Sequence, residues 1–132
     1  MRVIPLRLDP GTDLKQALQS TVRRERLSAA WVMSCVGSLR QITLRLADIH
    51  TALDEYEIIS AAGTLSATGM HVHLAVADPS GTILGGHLLG GCVVSPNGTV
   101  EVVLGADDDW RFTRSSHPET GWDELTIERT SA

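Results

Sequence analysis

The sequence predicts an α+β fold, in which one main helix lies beside a mostly antiparallel, curled sheet of about eight strands. Three observations predict it. A single early stretch repeats its less polar residues at helical spacing, namely Leu14, Ala17, Leu18, Thr21 and Val22. The later apolar residues alternate with polar ones, or form short runs separated by glycines. The regular strand–helix alternation that a parallel sheet requires is missing.

The elements follow in chain order. Residues 3–8 alternate as a strand, and Pro5 assigns it to a sheet edge because proline cannot donate to a ladder. Asp9-Pro10-Gly11 ends it. Thr12 then serves as the N-cap, with Asp13 in the first turn complementing the helix dipole. The helix runs to about Arg26. Its Arg23-Arg24-Glu25-Arg26 end reads as a solvated C-terminus, where cations are favoured. Residues 30–36, 39–47, 56–65, 70–77, 83–89, 92–94 and 99–104 read as strands, and 124–129 closes the series. Asn97-Gly98-Thr99 reads as a turn after Pro96, and Asp107-Asp108-Asp109 as a solvated loop.

Composition narrows the function. The chain has 132 residues, 42% hydrophobic and 20% charged, which suits one domain over 1–132 and excludes wholesale disorder. The net charge of -5 opposes unaided DNA binding, because affinity for phosphates rests on clustered cations. Cys35 and Cys92 sit in apolar runs and read as buried, reduced thiols. The N-terminus does not resemble a signal peptide, and no run approaches the ~20 apolar residues of a membrane span. A cytoplasmic location is expected. With one Phe and one Tyr, the core is expected to rest on small aliphatics and three Trp.

The chemistry concentrates between Gly69 and His87. His71 and His73 are two apart on a strand, so both rings leave the same face. Asp78-Pro79-Ser80-Gly81 fits a type I turn, with Gly81 left-handed and closing a three-residue loop with a bulge. Asp78 then opposes Thr82, His73 opposes His87, and His71 opposes Leu89. His71 becomes the diagonal neighbour of His87 on the same face. A two-residue loop would send His87 to the other face.

Three converging imidazoles suit a divalent metal ion such as zinc, and equally iron, nickel or copper. The alternative is a polar, water-lined cleft in which the rings bond each other and the backbone. Gly85 and Gly86 precede His87 and permit close approach of a backbone, a ligand or a neighbouring subunit. Glu57 and Glu101 are polar positions in apolar strands. They read as members of structural ion pairs with Arg40 or Arg45, with Glu101 also a candidate fourth ligand or general base. His50 and His117 lie in polar loops and read as surface residues. No Ser/His/Asp or Cys/His set can be assembled from spacing.

Several spaced pieces belong together. Glu57-Ile58-Ile59-Ser60, Gly63-Thr64-Leu65, Gly69-x-His71-x-His73, Asp78-x-x-Gly81, Gly85-Gly86-His87, Gly91 and Glu101-Val102-Val103-Leu104 resemble the plant-and-prokaryote-conserved (PPC) domain. The resemblance extends to Gly37-Ser38-Leu39 and Thr120-Gly121-Trp122. It implies a small α+β domain that assembles as a homotrimer. In plants the domain is joined to AT-hook segments that supply DNA binding. This sequence has no Arg-Gly-Arg-Pro-like hook.

The expectation is therefore a homotrimeric binding module with a metal or small-ligand site at His71, His73 and His87, acting in regulation or sensing. Glu101, Glu57, Gly85 and Gly86 are its candidate supporting residues. The alternatives are a metal-dependent enzyme acting on a small polar substrate, or a DNA-associated scaffold working through a partner. Neither direct nucleic-acid binding nor a membrane is expected, and no reaction is assigned.

Overall fold

The computed structural model describes residues 1–131 and contains one helix and nine strands. These are β1 (Arg2–Leu8), α1 (Leu14–Arg24), β2 (Ala30–Arg45), β3 (Ile49–Ser66) and β4 (Gly69–Ala77). β5 (Ile83–Leu88), β6 (Val93–Val94), β7 (Val100–Ala106), β8 (Trp110–Ser116) and β9 (Asp123–Arg129) follow. The architecture is α+β but dominated by strands.

Every strand pairing is antiparallel, in the order β1-β7-β2-β3-β4-β5, with β6 against β2. β1 lies at the edge, as Pro5 requires. The sheet curls because the end of β5 returns to β2, pairing Leu44 with Leu88 and Arg45 with His87. β8 and β9 form a separate two-stranded hairpin.

Four expectations are corrected. First, residues 30–36 and 39–47 are one strand, β2. It passes through Gly37 and absorbs irregularities between Val32 and Ser34 and between Leu39 and Gln41, so the glycine bends it without ending it. Second, β8 was not expected. Its Trp110 and Phe112 alternate with Arg111 and Thr113, but the run is short and follows three aspartates. Third, the helix is capped by Asp13, not Thr12, and stops at Arg24. Asp13 Oδ1 accepts from the Gln16 backbone N–H at 3.0 Å, while Oδ2 accepts from the Gly91 N–H at 2.7 Å. One carboxylate thus caps the helix and ties it to the segment after β5.

The fourth correction concerns the core. It is built from aliphatic residues and Tyr56, with no Trp in it. Leu14, Leu18 and Val22 of α1 cover Leu39, Leu65, Leu74 and Leu104 among the buried set. Cys35 and Cys92 are free and buried, and burial pushes the Cys35 thiol up to about 11, where it is an inert hydrophobe. Among the described residues no helix is long and apolar enough to cross a membrane.

Candidate metal centre

The β4–β5 hairpin positions the histidines, and its turn chemistry sets their register. Asp78 accepts three hydrogen bonds, from the Ser80 N–H at 2.9 Å, the Ser80 hydroxyl at 2.7 Å and the Thr82 N–H at 2.9 Å. The Gly81 N–H donates to the Asp78 carbonyl at 2.9 Å, and Gly81 has φ +86°. From this turn the ladder runs back to His73 opposite His87, as the sequence predicts. Paired residues end there, because the chain beyond His87 turns to β2 and Leu88 meets Leu44 in place of extending toward His71.

The three rings converge. Their candidate ligand atoms all lie within 4.8 Å of one another. His71 Nε2 and His73 Nε2 are 3.1 Å apart, while the His71 and His87 rings stack with centroids 4.9 Å apart and planes within 7°. In a tetrahedral zinc site with Zn–N of about 2.0–2.1 Å, neighbouring nitrogens are about 3.3 Å apart. The His71–His73 pair already has that spacing, so the donor set fits a divalent ion held by three imidazoles.

The electrostatics favour neutral rings. Burial, the His73 ring and Arg114 push His71 below its ordinary value, with Arg45 adding to the effect and Glu124 opposing it. Burial, Arg45 and the other two histidines lower His87 in the same direction. Neutral imidazole is the form that binds metal.

The supporting residues divide. Gly86 lies beneath the end of β2, where a Cβ would come within 2.9 Å of both the Arg45 carbonyl and the Leu46 side chain. A backbone therefore uses the space that the Gly85-Gly86 pair leaves. Glu57 and Glu101 are both exposed and lie outside the histidine cluster. Glu101 pairs with Arg7 of β1 and Val36 of β2. Among the described residues neither glutamate makes an ion pair with Arg40 or Arg45. Their strands present one face to solvent, so a polar residue there needs no buried partner. His50 is exposed, and His117 is half-buried in the turn before β9.

A cavity of about 540 Å³ adjoins the cluster. His71 and His87 line it, together with Lys15 of α1, Arg45 of β2, Arg114 of β8, and Trp122, Asp123 and Glu124 at the start of β9. The Arg45 guanidinium sits 4.9 Å from the centre of the Trp122 ring. The sequence reading missed the roles of Arg114 and Glu124. The available signal was the alternation Trp110–Phe112, which extends to Arg114 on the same strand face.

The chain was compared with known proteins. The family model for the Plants and Prokaryotes Conserved (PCC) domain matches residues 1–107. A Bifunctional protein GlmU from Synechococcus sp. (strain JA-3-3Ab) is 46% identical over 134 residues, covering 99% of this chain and 21% of that protein. The chain thus spans about a fifth of the length of this curated relative. A hypothetical protein from Salmonella cholerae-suis has a solved structure that is 40% identical, with a TM-score of 0.93 over 98% of this chain and 94% of that one. A candidate DNA-binding protein from Ralstonia eutropha JMP134 shares 24% identity and a TM-score of 0.82, over 94% and 90% of the two chains. A metal-containing protein from Archaeoglobus fulgidus shares 22% identity and a TM-score of 0.73, over 96% and 94%. The last two show likeness of fold alone.

Proposed function

The chain belongs to the Plants and Prokaryotes Conserved domain family, and on that premise we propose that it is a homotrimeric binding module with a divalent metal ion, zinc in the first instance, held by His71, His73 and His87. The observation that carries this reading is the convergence of three imidazoles within 4.8 Å on one hairpin. Two of them are held neutral by burial and nearby positive charge. An archaeal protein of the same fold is metal-containing, which agrees with the reading at the level of fold. Three protein ligands leave a fourth position open to water or a small molecule. The module acts in regulation or sensing, by what it binds at that position.

Assembly is argued from the surface. Val36 is 48% exposed, Ile59 57% and Ile83 56%, on three strands of one sheet. Large apolar side chains in such numbers favour burial against further copies of the chain.

The test is a zinc titration of untagged chain by calorimetry. One ion per chain is expected, and His71→Ala, His73→Ala and His87→Ala should each weaken binding at least about tenfold. No bound divalent ion, together with no effect of the three substitutions, overturns the metal reading. One observation favours a second reading, a metal-dependent enzyme acting on a small polar substrate: the cavity of about 540 Å³ opens directly onto the cluster. Such an enzyme would use the open position to activate water or polarise the substrate.

A further inference from the structure

We propose that the cavity between the β8–β9 hairpin and the histidine cluster is an anion site, which takes a small organic molecule bearing a carboxylate or phosphate group. Its volume of about 540 Å³ is that of a site for a metabolite-sized ligand. The chain as a whole carries a net charge of -5, yet three of its eleven basic residues meet here from separate elements. They are Lys15 of α1, Arg45 of β2 and Arg114 of β8. Two carboxylates, Asp123 and Glu124, face the same space. The cations outnumber them before any metal on the histidines adds its own charge.

These cations are held but not neutralised. Among the described residues, the ion pairs involve Arg2, Arg7, Arg24 and Arg111, and none involves Lys15, Arg45 or Arg114. Arg114 Nη2 donates to Thr64 Oγ1 at 2.8 Å, and the Arg114 backbone N–H donates to Thr68 Oγ1 at 2.8 Å. Those bonds fix the guanidinium against β3 without supplying a countercharge. Its Nε is buried with no acceptor, which leaves this cation under-satisfied by the protein. Arg45 lies over the Trp122 ring, a contact that orients a guanidinium while leaving its edge N–H groups free. Two oriented arginines beside a lysine suit the paired oxygens of a carboxylate or phosphate. The field acts in the same sense: Arg114 and Arg45 both disfavour a proton on His71, and Glu124 alone opposes them there.

An anion seated on the arginines would lie beside His71 and His87. With a metal on the histidines, one of its oxygens would take the position the protein leaves open. That last step rests on the metal reading above, whereas the arginine contacts do not.

The test is calorimetry on the full chain at low ionic strength, with inorganic phosphate and with malonate as probes, and chloride as the control. Metal-free chain should bind one phosphate or malonate per chain, saturably, and zinc-loaded chain should bind malonate more tightly. Preference for phosphate points to a phosphate ester, and preference for malonate to a carboxylate; either supports the site. Arg45→Gln and Arg114→Gln should each weaken the anion about tenfold, from the loss of charge-assisted hydrogen bonds, and leave zinc stoichiometry unchanged. Because Arg114 also anchors the hairpin, Lys15→Gln provides a variant that disturbs no anchor, and it should weaken binding about threefold. Failure of both anions to bind either form overturns the proposal, as does binding that none of the three substitutions affects. Zinc binding without anion binding sinks this inference alone, and anion binding without zinc binding sinks the metal reading alone.

Discussion

A methyl group added at Gly63 should dismantle the histidine site from the neighbouring strand. Gly63 of β3 pairs with Val72 of β4, the residue between His71 and His73, and has φ +157°. A Cβ built there would run into the His71 carbonyl oxygen and lie 2.7 Å from Val72 Cα. Both obstacles are backbone, so no rotamer relieves them. Reaching ordinary contact requires β4 to retreat by about 0.7 Å, against its own ladder. Overpacking of this kind costs about 1–3 kcal/mol, and an unfavourable positive φ adds about 1 kcal/mol or more. Gly63→Ala should therefore cost about 3 kcal/mol. Gly81→Ala is the internal control. Gly81 also has positive φ, +86°, but a Cβ there meets nothing within 4 Å. Only the conformational term of about 1 kcal/mol remains. Urea unfolding followed by tryptophan fluorescence, at one fixed chain concentration, gives both values. Zinc affinity should fall in Gly63→Ala and hold in Gly81→Ala, because only the first displaces the segment carrying His71 and His73. Equal destabilisation by the two substitutions, within about 0.5 kcal/mol, would refute the close-approach argument.

Three further outcomes are expected. His71 and His87 titrate below the ordinary 6.5, so the unfolded chain takes up protons before the folded one does. Stability of metal-free chain is thus complete above pH 6.5 and declines as pH falls through that value toward the folded-state values. Thermal melts from about pH 7.5 to about pH 5 should show the decline, and a His71→Gln, His87→Gln double substitution should flatten it; an unchanged slope removes the histidines as its source. Light scattering at micromolar concentration should give three times the chain mass, and a single-chain mass would defeat the trimer. In a mobility-shift assay at physiological salt the isolated domain should not retard DNA, because its ten arginines and one lysine are spread along a chain of net charge -5. A clear shift would establish a direct nucleic-acid role.

What was legible in the sequence depended on how local its cause was. The Asp78-Pro79-Ser80-Gly81 turn is specified within five residues, by one carboxylate accepting from Ser80 and Thr82 and one left-handed glycine. Counting outward from it therefore places His73 against His87 correctly. The edge position of β1 follows from Pro5 in the same local way. Gly37-Ser38 misleads because its meaning is tertiary. The Thr99 carbonyl passes so close to Gly37 that β2 needs a glycine there, and a residue that reads as a breaker instead lets a neighbouring strand approach. Glu101 misleads for a related reason: its strand separates an inner from an outer face, and which face is solvated depends on partners far away in sequence.

The cavity wall was the least legible part, and the residue ranges explain why. All three histidines, with Arg45 and Lys15, lie within residues 1–107 that the family model matches, whereas Arg114, Trp122, Asp123 and Glu124 lie beyond them. The histidines declare themselves through spacing on one hairpin. The wall residues come from a second hairpin and meet the first only through Thr64, Thr68 and Arg45. No periodicity along the chain encodes those three contacts, since each joins positions more than forty residues apart. The metal-ligand set and the surface that would select what reaches it are thus carried by different parts of the chain. Substitutions in residues 110–129 that keep the Thr64 and Thr68 bonds can alter selection of a ligand while leaving the three imidazoles in register.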